Sequence, residues 1–465
     1  MELACTLRSN RHVFRNLKEL MAKAGEAKSG DMLAGIGAGS ESERVAAKMV
    51  LADLPLGRFL EDPLIDPALD EVSNLILSRH DPAPFTAMRS TTVGELREWL
   101  LDDATDSAAI ARARPGLTPE MVAGVVKLMA NKELVLVASK IRVITRCRNT
   151  MGEAGVLGVR IQPNHPSDDI QGILASTIDG LLFGCGDAVI GVNPATDDAG
   201  VVGQILRGLD HLIDGLRIPT QHCCLAHITT QLAALEQGAP IDLLFQSVAG
   251  SQAANASFGI NLALLREGRE QVLERRTSRG VNWAGPQCTY FETGQGSALS
   301  AEAHHGVDQL TLEARAQAVA AALDPFLVNS VVGFIGPEYL ADERQIIRAG
   351  LEDHCVGKLL GLPMGVDICH TNHAEADQNS LDNLLLLLAA AGVNFVMGVP
   401  CGDDVMLNYQ STSPHDAALA RQLFGLSPAP EFLAWLEDRG LFHQGRLAET
   451  GRARLLEHAG RLLVG

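Results

Sequence analysis

The sequence predicts an α/β fold: a (β/α)8 TIM barrel with an N-terminal helical extension and C-terminal helices. Eight short apolar runs in the last two thirds of the chain each end at a polar residue, with helical or loop-like sequence between them. Hydrophobic residues make up 46% of the chain and aromatic residues only 4%, which favours parallel strands buried on both faces. The runs are residues 156–161, 188–193, 223–228, 242–247, 287–292, 328–334, 363–368 and 394–399.

Three regions follow from this assignment. A chain of 465 residues can form more than one domain, and a barrel of this type takes about 250 residues. We assign residues 1–115 to an N-terminal helical region, residues 116–428 to the barrel, and residues 429–465 to a C-terminal helical tail. The active site of such a barrel lies at the carboxyl ends of its strands.

Helix signals are strongest outside the barrel. Apolar spacing predicts a helix over residues 13–24, and Ser40 with Glu43 forms a capping-box pattern at the start of another. Thr118 before Pro119 is typical of a helix start. Other predicted elements are helices at residues 93–101, 431–438 and 452–463, and a connector at residues 81–84.

Two barrel elements need a choice between alternatives. The apolar run at residues 133–139 competes with residues 156–161 for the first strand, and we prefer the later run because a polar loop, residues 162–166, follows it. The short gap after the third strand has room only for a small helix at residues 231–237. The apolar stretch 384–400 is interrupted by Gly392 and predicts a buried helix followed by the eighth strand.

Charge and cysteine content limit the function classes. The formal charge of −18 disfavours a nucleic-acid partner, because such a field repels phosphate backbones. Nine cysteines occur without a Cys-x-x-Cys pair, as expected for reduced thiols in a cytoplasmic protein. The N-terminus has no basic segment followed by an apolar one, so neither a signal peptide nor a membrane association is expected.

Residues at the ends of the predicted strands, most of them polar, define a candidate site before any family is considered. Arg160, Glu292 and Asp367 stand out, because a charged group in an apolar strand is costly to bury unless it is paired. Structural salt bridges are the alternative explanation. Convergence of the three charges on one pocket would suit a small zwitterion or amino alcohol. The strand-end residues are Arg160, Gln162, Asn193, His227, Gln246, Ser247, Glu292, Phe334, Asp367 and Met397.

Three other motifs favour structural roles. The glycines of residues 35–39 resemble a phosphate-binding loop, but no strand precedes them and no Lys-Ser/Thr pair follows. His370 and His373 have metal-ligand side chains at a spacing that differs from helical zinc motifs. Residues 352–357 nearly match the Asp-x-His-x-x-Gly signature of some corrinoid proteins, yet Glu352 replaces the aspartate and His354 falls in a predicted barrel helix.

The chain resembles the large (heavy, α) subunit of ethanolamine ammonia-lyase from about residue 5 to residue 450. This resemblance implies radical deamination of ethanolamine to acetaldehyde and ammonia, with adenosylcobalamin as cofactor. The corrin would supply the cobalt, and no protein histidine ligand is expected. The segments that carry the resemblance are residues 158–165, 290–300, 331–339, 348–354, 371–378 and 402–409.

The resemblance also implies roles for individual residues and partners. The small subunit of the enzyme would be a partner, in a higher oligomer of large–small pairs, in the cytoplasm or inside a bacterial microcompartment. The implied substrate contacts are Arg160, Gln162, Asn193, Glu292 and Asp367, with Glu292, Arg160 and Asp367 catalytic. The implied residues beside the cofactor are Pro194, Gln246, Ser300, Met406, Phe258, Val331 and Phe334.

Two other functions stay open on the residues alone. A phosphate-binding barrel lyase or aldolase would need a glycine-rich phosphate site after the last strands and usually a strand-end lysine. The segment that follows the eighth strand, residues 400–403, is acidic instead. A non-catalytic structural subunit would leave Arg160, Glu292 and Asp367 without a ligand to bind.

Overall fold

The computed structural model describes residues 2–443 and 445–464. Eight parallel strands form one sheet, which confirms the predicted barrel type. Each predicted run contains one strand or overlaps it. The strands are β1 (Gly158–Ile161), β2 (Val189–Val192), β3 (His222–Cys224), β4 (Leu244–Ser247), β5 (Thr289–Thr293), β6 (Leu327–Val331), β7 (Met364–Asp367) and β8 (Phe395–Gly398). Their order in the sheet is β3-β2-β1-β8-β7-β6-β5-β4.

The barrel is nearly closed, with its seam between β3 and β4. Side chains bridge this seam: the His222 backbone N–H donates to the Asp242 carboxylate at 3.1 Å, and the Cys223 thiol donates to the Leu243 carbonyl at 3.3 Å. Gln231 exchanges two hydrogen bonds with the Phe245 backbone. The seam therefore keeps its backbone groups satisfied without a strand ladder.

A helix follows each strand and covers the outer face of the barrel. The helix predicted at residues 231–237 begins earlier, at Ile228, because β3 is only three residues long. Short helices Gln252–Ser257 and Ser297–Ser300 lie in the loops after β4 and β5. The main barrel helices are Ile170–Leu182, Ala199–Leu216, Ile228–Glu236, Leu262–Arg276, Gln309–Ala321, Glu343–Leu360, Gln378–Ala390 and Pro414–Phe424.

The N-terminal region begins with a β-hairpin, so the prediction of helices throughout was wrong there. Strands Ala4–Leu7 and Asn10–Val13 pair around Arg8 and Ser9, both with positive φ, as in a tight two-residue turn. The helix predicted over residues 13–24 starts only at Leu17, because the Asn16 side chain caps it. The predicted connector at residues 81–84 contains a short helix, Pro82–Phe85.

Helices form the rest of this region and continue past residue 115 to residue 139, ahead of β1. Ser40 and Thr118 cap their helices as predicted, and residues 131–139 are helical, so the preference for residues 156–161 as the first strand was correct. The helices are Leu17–Ala24, Ser29–Leu33, Glu41–Ala52, Arg58–Glu61, Glu71–Arg79, Pro82–Phe85, Val93–Leu101, Ser107–Ala113, Pro119–Lys127 and Asn131–Ser139, with a 3-10 turn at Arg114–Gly116.

Buried ion pairs attach the segments that precede β1 to the barrel helices. Lys28 contacts Glu352 at 2.6 Å, and Lys127 contacts Asp308 at 2.5 Å. Arg315 contacts Asp70 at 2.7 Å, with both side chains almost fully buried. Because a buried charge without its partner is strongly destabilising, these pairs fix how the two regions pack.

Several short elements complete the fold. A three-stranded antiparallel sheet lies beside the carboxyl ends of the barrel strands and is formed by His370–Thr371, Asp403–Asp404 and Tyr409–Gln410. The tail contains the predicted helices and an unpredicted hairpin. The elements of the tail are Pro430–Asp438, Phe442–His443, Arg446–Leu447, Glu449–Gly451 and Arg452–Val464. The short elements elsewhere in the chain are Thr145–Arg146, Thr150–Met151 and Pro400–Gly402.

Within the described residues, none of the helices combines the length and the apolarity needed to cross a membrane. All nine cysteines are free thiols, and only Cys401 is exposed.

Candidate active site

A cavity of about 440 Å³ opens at the carboxyl ends of the barrel strands. Its volume falls within the range of small-molecule sites, and apolar side chains surround a few convergent polar groups. The lining residues are Arg160, Gln162, Asn193, Leu225, Phe245, Ser247, Val248, Phe258, Glu292, Thr293, Gly294, Ser297, Ser300, Val331, Phe334, Ile335, Asp367, Leu407 and Tyr409.

Arg160, on β1, reaches across the floor of this cavity. Its side chain is 1% exposed, and one amino group (Nη1) donates to the Tyr290 hydroxyl at 2.8 Å and to Glu292 Oε1 at 2.9 Å. The other amino group donates to Asn193 Oδ1 at 2.8 Å. Burial disfavours the guanidinium charge, but the neighbouring Tyr290 and Glu292 outweigh burial and raise the pKa of Arg160. The cavity therefore holds a permanent positive charge.

Glu292 offers one free oxygen to the cavity. Its Oε1 accepts hydrogen bonds from Arg160 at 2.9 Å, the Tyr290 hydroxyl at 3.1 Å and Asn329 Nδ2 at 3.3 Å. No donor among the residues that the structure describes contacts Oε2. Tyr290 lies two residues earlier on the same face of β5, and Asn329 is the register partner of Glu292 on β6. Three donors thus fix one oxygen and leave the other available to a ligand.

Asp367, at the end of β7, is a buried carboxylate with two hydroxyl partners. Ser411 donates to its Oδ1 at 2.6 Å, and Tyr409 donates to its Oδ2 at 3.0 Å. Burial raises the pKa of Asp367 to about 6, although the Ser411 hydrogen bond and the charge of Arg160 oppose this rise. At neutral pH the group is ionised and attracts a cation into the cavity.

Amide side chains complete the polar part of the lining. The Gln162 amide nitrogen donates to Asp404 Oδ2 at 2.7 Å and to the Tyr409 hydroxyl at 2.8 Å. Asn193 is held by its backbone N–H, which donates to Asn164 Oδ1 at 2.7 Å. The Asn164 amide therefore connects the loops after β1 and β2, whose residues Gln162 and Asn193 face the same cavity.

Most sequence-predicted site residues meet at this cavity. All five predicted substrate contacts line it, and so do four predicted cofactor neighbours: Phe258, Ser300, Val331 and Phe334. Pro194, Gln246 and Met406 lie outside the lining. The Gln246 side chain turns toward the barrel seam instead, where Oε1 accepts from the Ile228 N–H at 2.9 Å.

Two strand-end predictions lie three residues beyond their strands, because β3 and β6 end before their apolar runs do. His227 caps the helix Ile228–Glu236, and its Nε2 contacts the Phe258 carbonyl at 2.9 Å. Phe334 lies three residues beyond the end of β6 and is 40% exposed at the cavity mouth. Met397 is buried within β8 and does not line the cavity.

The sequence analysis missed several polar residues of the site. Tyr290 and Tyr409 are two of only three tyrosines in the chain, and Tyr290 precedes Glu292 by two positions, a spacing that indicates the same strand face. Asn329, Asp404 and Ser411 hold the predicted residues in place. The contacts of Asp404, Tyr409 and Ser411 arise from the loop after β8, which carries no periodic signal.

The motifs set aside earlier lie away from the cavity lining. The loop of residues 35–39 precedes the helix capped by Ser40. His354 is buried on the helix Glu343–Leu360, and burial lowers its pKa well below the usual value.

Asp210, His222 and Asp242 approach one another at the amino end of the barrel, where Arg148 and Arg279 pair with the carboxylates. Those arginines already neutralise the negative charge of the two carboxylates, which a metal ion would need for binding.

Comparison with known proteins identifies the family. The family model described as "Ethanolamine ammonia lyase large subunit (EutB)" matches residues 12–450. The chain is 49% identical over 449 residues to the ethanolamine ammonia-lyase large subunit of Escherichia coli (strain K12), covering 97% of this chain and 98% of that protein. Identity and coverage are the same for the large subunit of Salmonella typhimurium (strain LT2). The chain therefore belongs to the ethanolamine ammonia-lyase large-subunit family.

Proposed function

We propose that this chain is the catalytic large subunit of an adenosylcobalamin-dependent ethanolamine ammonia-lyase, which deaminates ethanolamine to acetaldehyde and ammonia by radical chemistry. One observation carries the proposal: Arg160, Glu292 and Asp367, from β1, β5 and β7, line a single cavity together with Gln162 and Asn193. The 49% identity to curated large subunits supports the same assignment.

The polar groups of the cavity match the two ends of ethanolamine. Its ammonium would bind among Asp367, the Gln162 carbonyl oxygen and Asn193 Oδ1, which also accepts from Arg160 at 2.8 Å and from Asn164 at 3.5 Å. Its hydroxyl would lie near Arg160 and donate to Glu292 Oε2, the oxygen that no donor among the described residues contacts. Each charge-assisted contact contributes about 1.5–3 kcal/mol, which is enough to hold a small substrate in one orientation.

The cavity also suits a cofactor larger than the substrate. A volume of about 440 Å³ exceeds what ethanolamine fills, and Phe258, Val331 and Phe334 give the remaining space an apolar wall. The chemistry supplied by bound adenosylcobalamin is removal of a hydrogen atom from an unactivated carbon, which side-chain acids and bases cannot perform. Phe258, Val331, Phe334, Ser300, Pro194, Gln246 and Met406 are the residues that we propose lie beside it.

The residues of this chain position the substrate and manage its charge. Asp367 and the two amides keep the migrating amino group close to its carbon, so that rearrangement competes with escape. Glu292 Oε2 accepts the hydroxyl proton as charge develops, while Arg160 holds the other oxygen of that carboxylate at 2.9 Å. Apolar lining residues exclude water and present few groups that a radical would oxidise.

The proposal is tested with the large subunit co-purified with its small subunit. Addition of adenosylcobalamin and ethanolamine should release ammonia and acetaldehyde in equal amounts. Absence of both products from the intact complex would overturn the proposal. The described cavity lining contains no lysine, so an aldolase that forms a Schiff base would lack its nucleophile here.

Family membership also supports the partners that we propose. The name "large subunit" of the relatives implies a small-subunit partner. We extend this to a higher oligomer of large–small pairs, in the cytoplasm or inside a bacterial microcompartment.

Substrate capture should depend on the ionisation of Asp367. The pKa of this group is raised to about 6, so its negative charge is lost as the pH falls through 6, whereas an aliphatic ammonium stays charged up to roughly pH 10. We expect kcat/KM for ethanolamine to fall about tenfold per pH unit below 6, because only the ionised group holds the cation. A profile that stays flat from pH 7 to pH 5 would contradict this role.

Asp367→Asn should weaken substrate binding more than turnover. The amide keeps the size of the side chain and one acceptor for Ser411 or Tyr409, but it removes the charge that attracts the ammonium. We expect KM for ethanolamine to rise about tenfold to a hundredfold, with a smaller change in kcat. Initial-rate kinetics with the assembled complex measure both values, and the variant should also lose the fall in kcat/KM below pH 6. An unchanged KM would exclude the proposed contact.

A further inference from the structure

We infer that Asp404 makes the cavity select an ammonium group over a hydroxyl group, by fixing Gln162 as a hydrogen-bond acceptor. This inference rests on the proposed function and adds a positioning residue to it. Asp404 is 3% exposed and lies in the loop after β8, outside the cavity lining. It therefore acts through the residues that it holds.

Hydrogen-bond donors determine which way the Gln162 amide faces. Its NH2 group has two N–H bonds, and both are used: one donates to Asp404 Oδ2 at 2.7 Å and the other to the Tyr409 oxygen at 2.8 Å. The Tyr409 hydroxyl proton is already donated to Asp367 at 3.0 Å, so its oxygen can only accept from Gln162. Only the Gln162 carbonyl oxygen remains for a ligand, and an ammonium needs such an acceptor.

Asp404 is itself held in place by backbone N–H groups, which can only donate hydrogen bonds. Its Oδ1 accepts from the backbone N–H groups of Met406 at 3.0 Å and Leu407 at 2.8 Å. Its Oδ2 accepts from Asn164 Nδ2 at 2.7 Å as well as from Gln162. A carboxylate is the side chain that accepts on both oxygens, so it suits a position surrounded by four donors.

These contacts make Asp404→Asn a selective test. The new carbonyl oxygen can still accept from the Met406 and Leu407 N–H groups, so the loop keeps its anchor. The new NH2 group then faces the amide nitrogens of Gln162 and Asn164, and donors repel each other. Rotation of the Gln162 amide, with the Tyr409 hydroxyl turning from Asp367 to donate to the Gln162 carbonyl oxygen, relieves the conflict at Gln162 and presents its N–H groups to the cavity. The site then opposes an ammonium and accepts a hydroxyl.

The experiment compares two ligands that differ at one group, ethanolamine and ethane-1,2-diol. The large–small complex is loaded with cyanocobalamin, which does not support turnover, and dissociation constants are measured by calorimetry. For Asp404→Asn we expect ethanolamine affinity to fall about tenfold to a hundredfold, as for the loss of one charge-assisted hydrogen bond, while diol affinity is kept or improved. The control is Asp403→Asn, an exposed neighbour that accepts from Gln410 at 3.1 Å, which should leave both constants unchanged.

The outcomes separate the two proposals. The deciding quantity is the affinity for ethanolamine relative to the affinity for ethane-1,2-diol. If Asp404→Asn leaves this ratio unchanged, the inference is overturned. That result includes an equal loss of affinity for both ligands, which would mean general loosening of the loop. If Asp404→Asn fails to assemble, Asp404→Ser replaces it. A hydroxyl can accept or donate, so the orientation of the Gln162 amide is no longer fixed. The affinity for ethanolamine relative to ethane-1,2-diol should then fall by a smaller factor. Failure of the wild-type complex to release ammonia with adenosylcobalamin would instead overturn the proposed function.

Discussion

Glu292→Gln should abolish deamination of ethanolamine while leaving the complex assembled. The amide oxygen can still accept from Arg160 and Tyr290, so the packing of β5 is kept. At the other position an NH2 donor replaces Oε2, the acceptor that the substrate hydroxyl requires. Loss of a positioned proton acceptor and of its charge should lower kcat by more than about a thousandfold.

The measurement for Glu292→Gln is ammonia release under saturating ethanolamine, with circular dichroism and gel filtration of the same sample. Glu302→Gln is a suitable control, because Glu302 is an exposed carboxylate in the same loop region and should retain full activity. Turnover of Glu292→Gln near the wild-type rate would remove Glu292 from the reaction.

Arg160→Met should lower both activity and stability. The change removes every hydrogen bond that Arg160 donates to Tyr290, Glu292 and Asn193. It also leaves Glu292, whose side chain is only 15% exposed, without its cationic partner. Breaking a buried ion pair from one side costs about 3–5 kcal/mol, and contact of Glu292 with the cavity places this case at the low end. We expect no measurable turnover and a lower midpoint of thermal unfolding.

A double variant separates these two effects. In Arg160→Met/Glu292→Gln the unpaired charge is gone, so the unfolding midpoint should recover most of its loss while turnover stays absent. Thermal scans at one fixed heating rate compare the four proteins. If Arg160→Met alone keeps the wild-type midpoint, the ion pair does not hold the cavity floor in the way that its burial indicates.

The barrel could be predicted from sequence because most of its strands are apolar runs with a polar residue at or just after the carboxyl end. Arg160, Glu292 and Asp367 were found for the same reason, since charges in apolar strands must have partners. Strand lengths were less certain, because apolar residues continue past β3 and β6 into helix caps and loops. His227 was therefore misplaced as a strand-end group.

The rest of the site depends on contacts that no local pattern encodes. Asp404 and Tyr409 reach Gln162 and Asp367 only because the loop after β8 folds back as a small antiparallel sheet. The contact from the Ile228 N–H to Gln246 Oε1 at the barrel seam is another that the apolar run of residues 242–247 does not signal. The N-terminal hairpin was missed because it depends on a turn with positive φ at Arg8 and Ser9, which are not the residues that usually signal such turns.

The most direct test of the central claim is an absorbance spectrum of the large–small complex mixed with adenosylcobalamin and ethanolamine. If the charged groups of β1, β5 and β7 hold ethanolamine for radical deamination, cobalt(II) absorption should appear only when both compounds are present, and ammonia should accumulate. An unchanged cobalt(III) spectrum with no ammonia, in a complex shown to bind both compounds, would contradict the account.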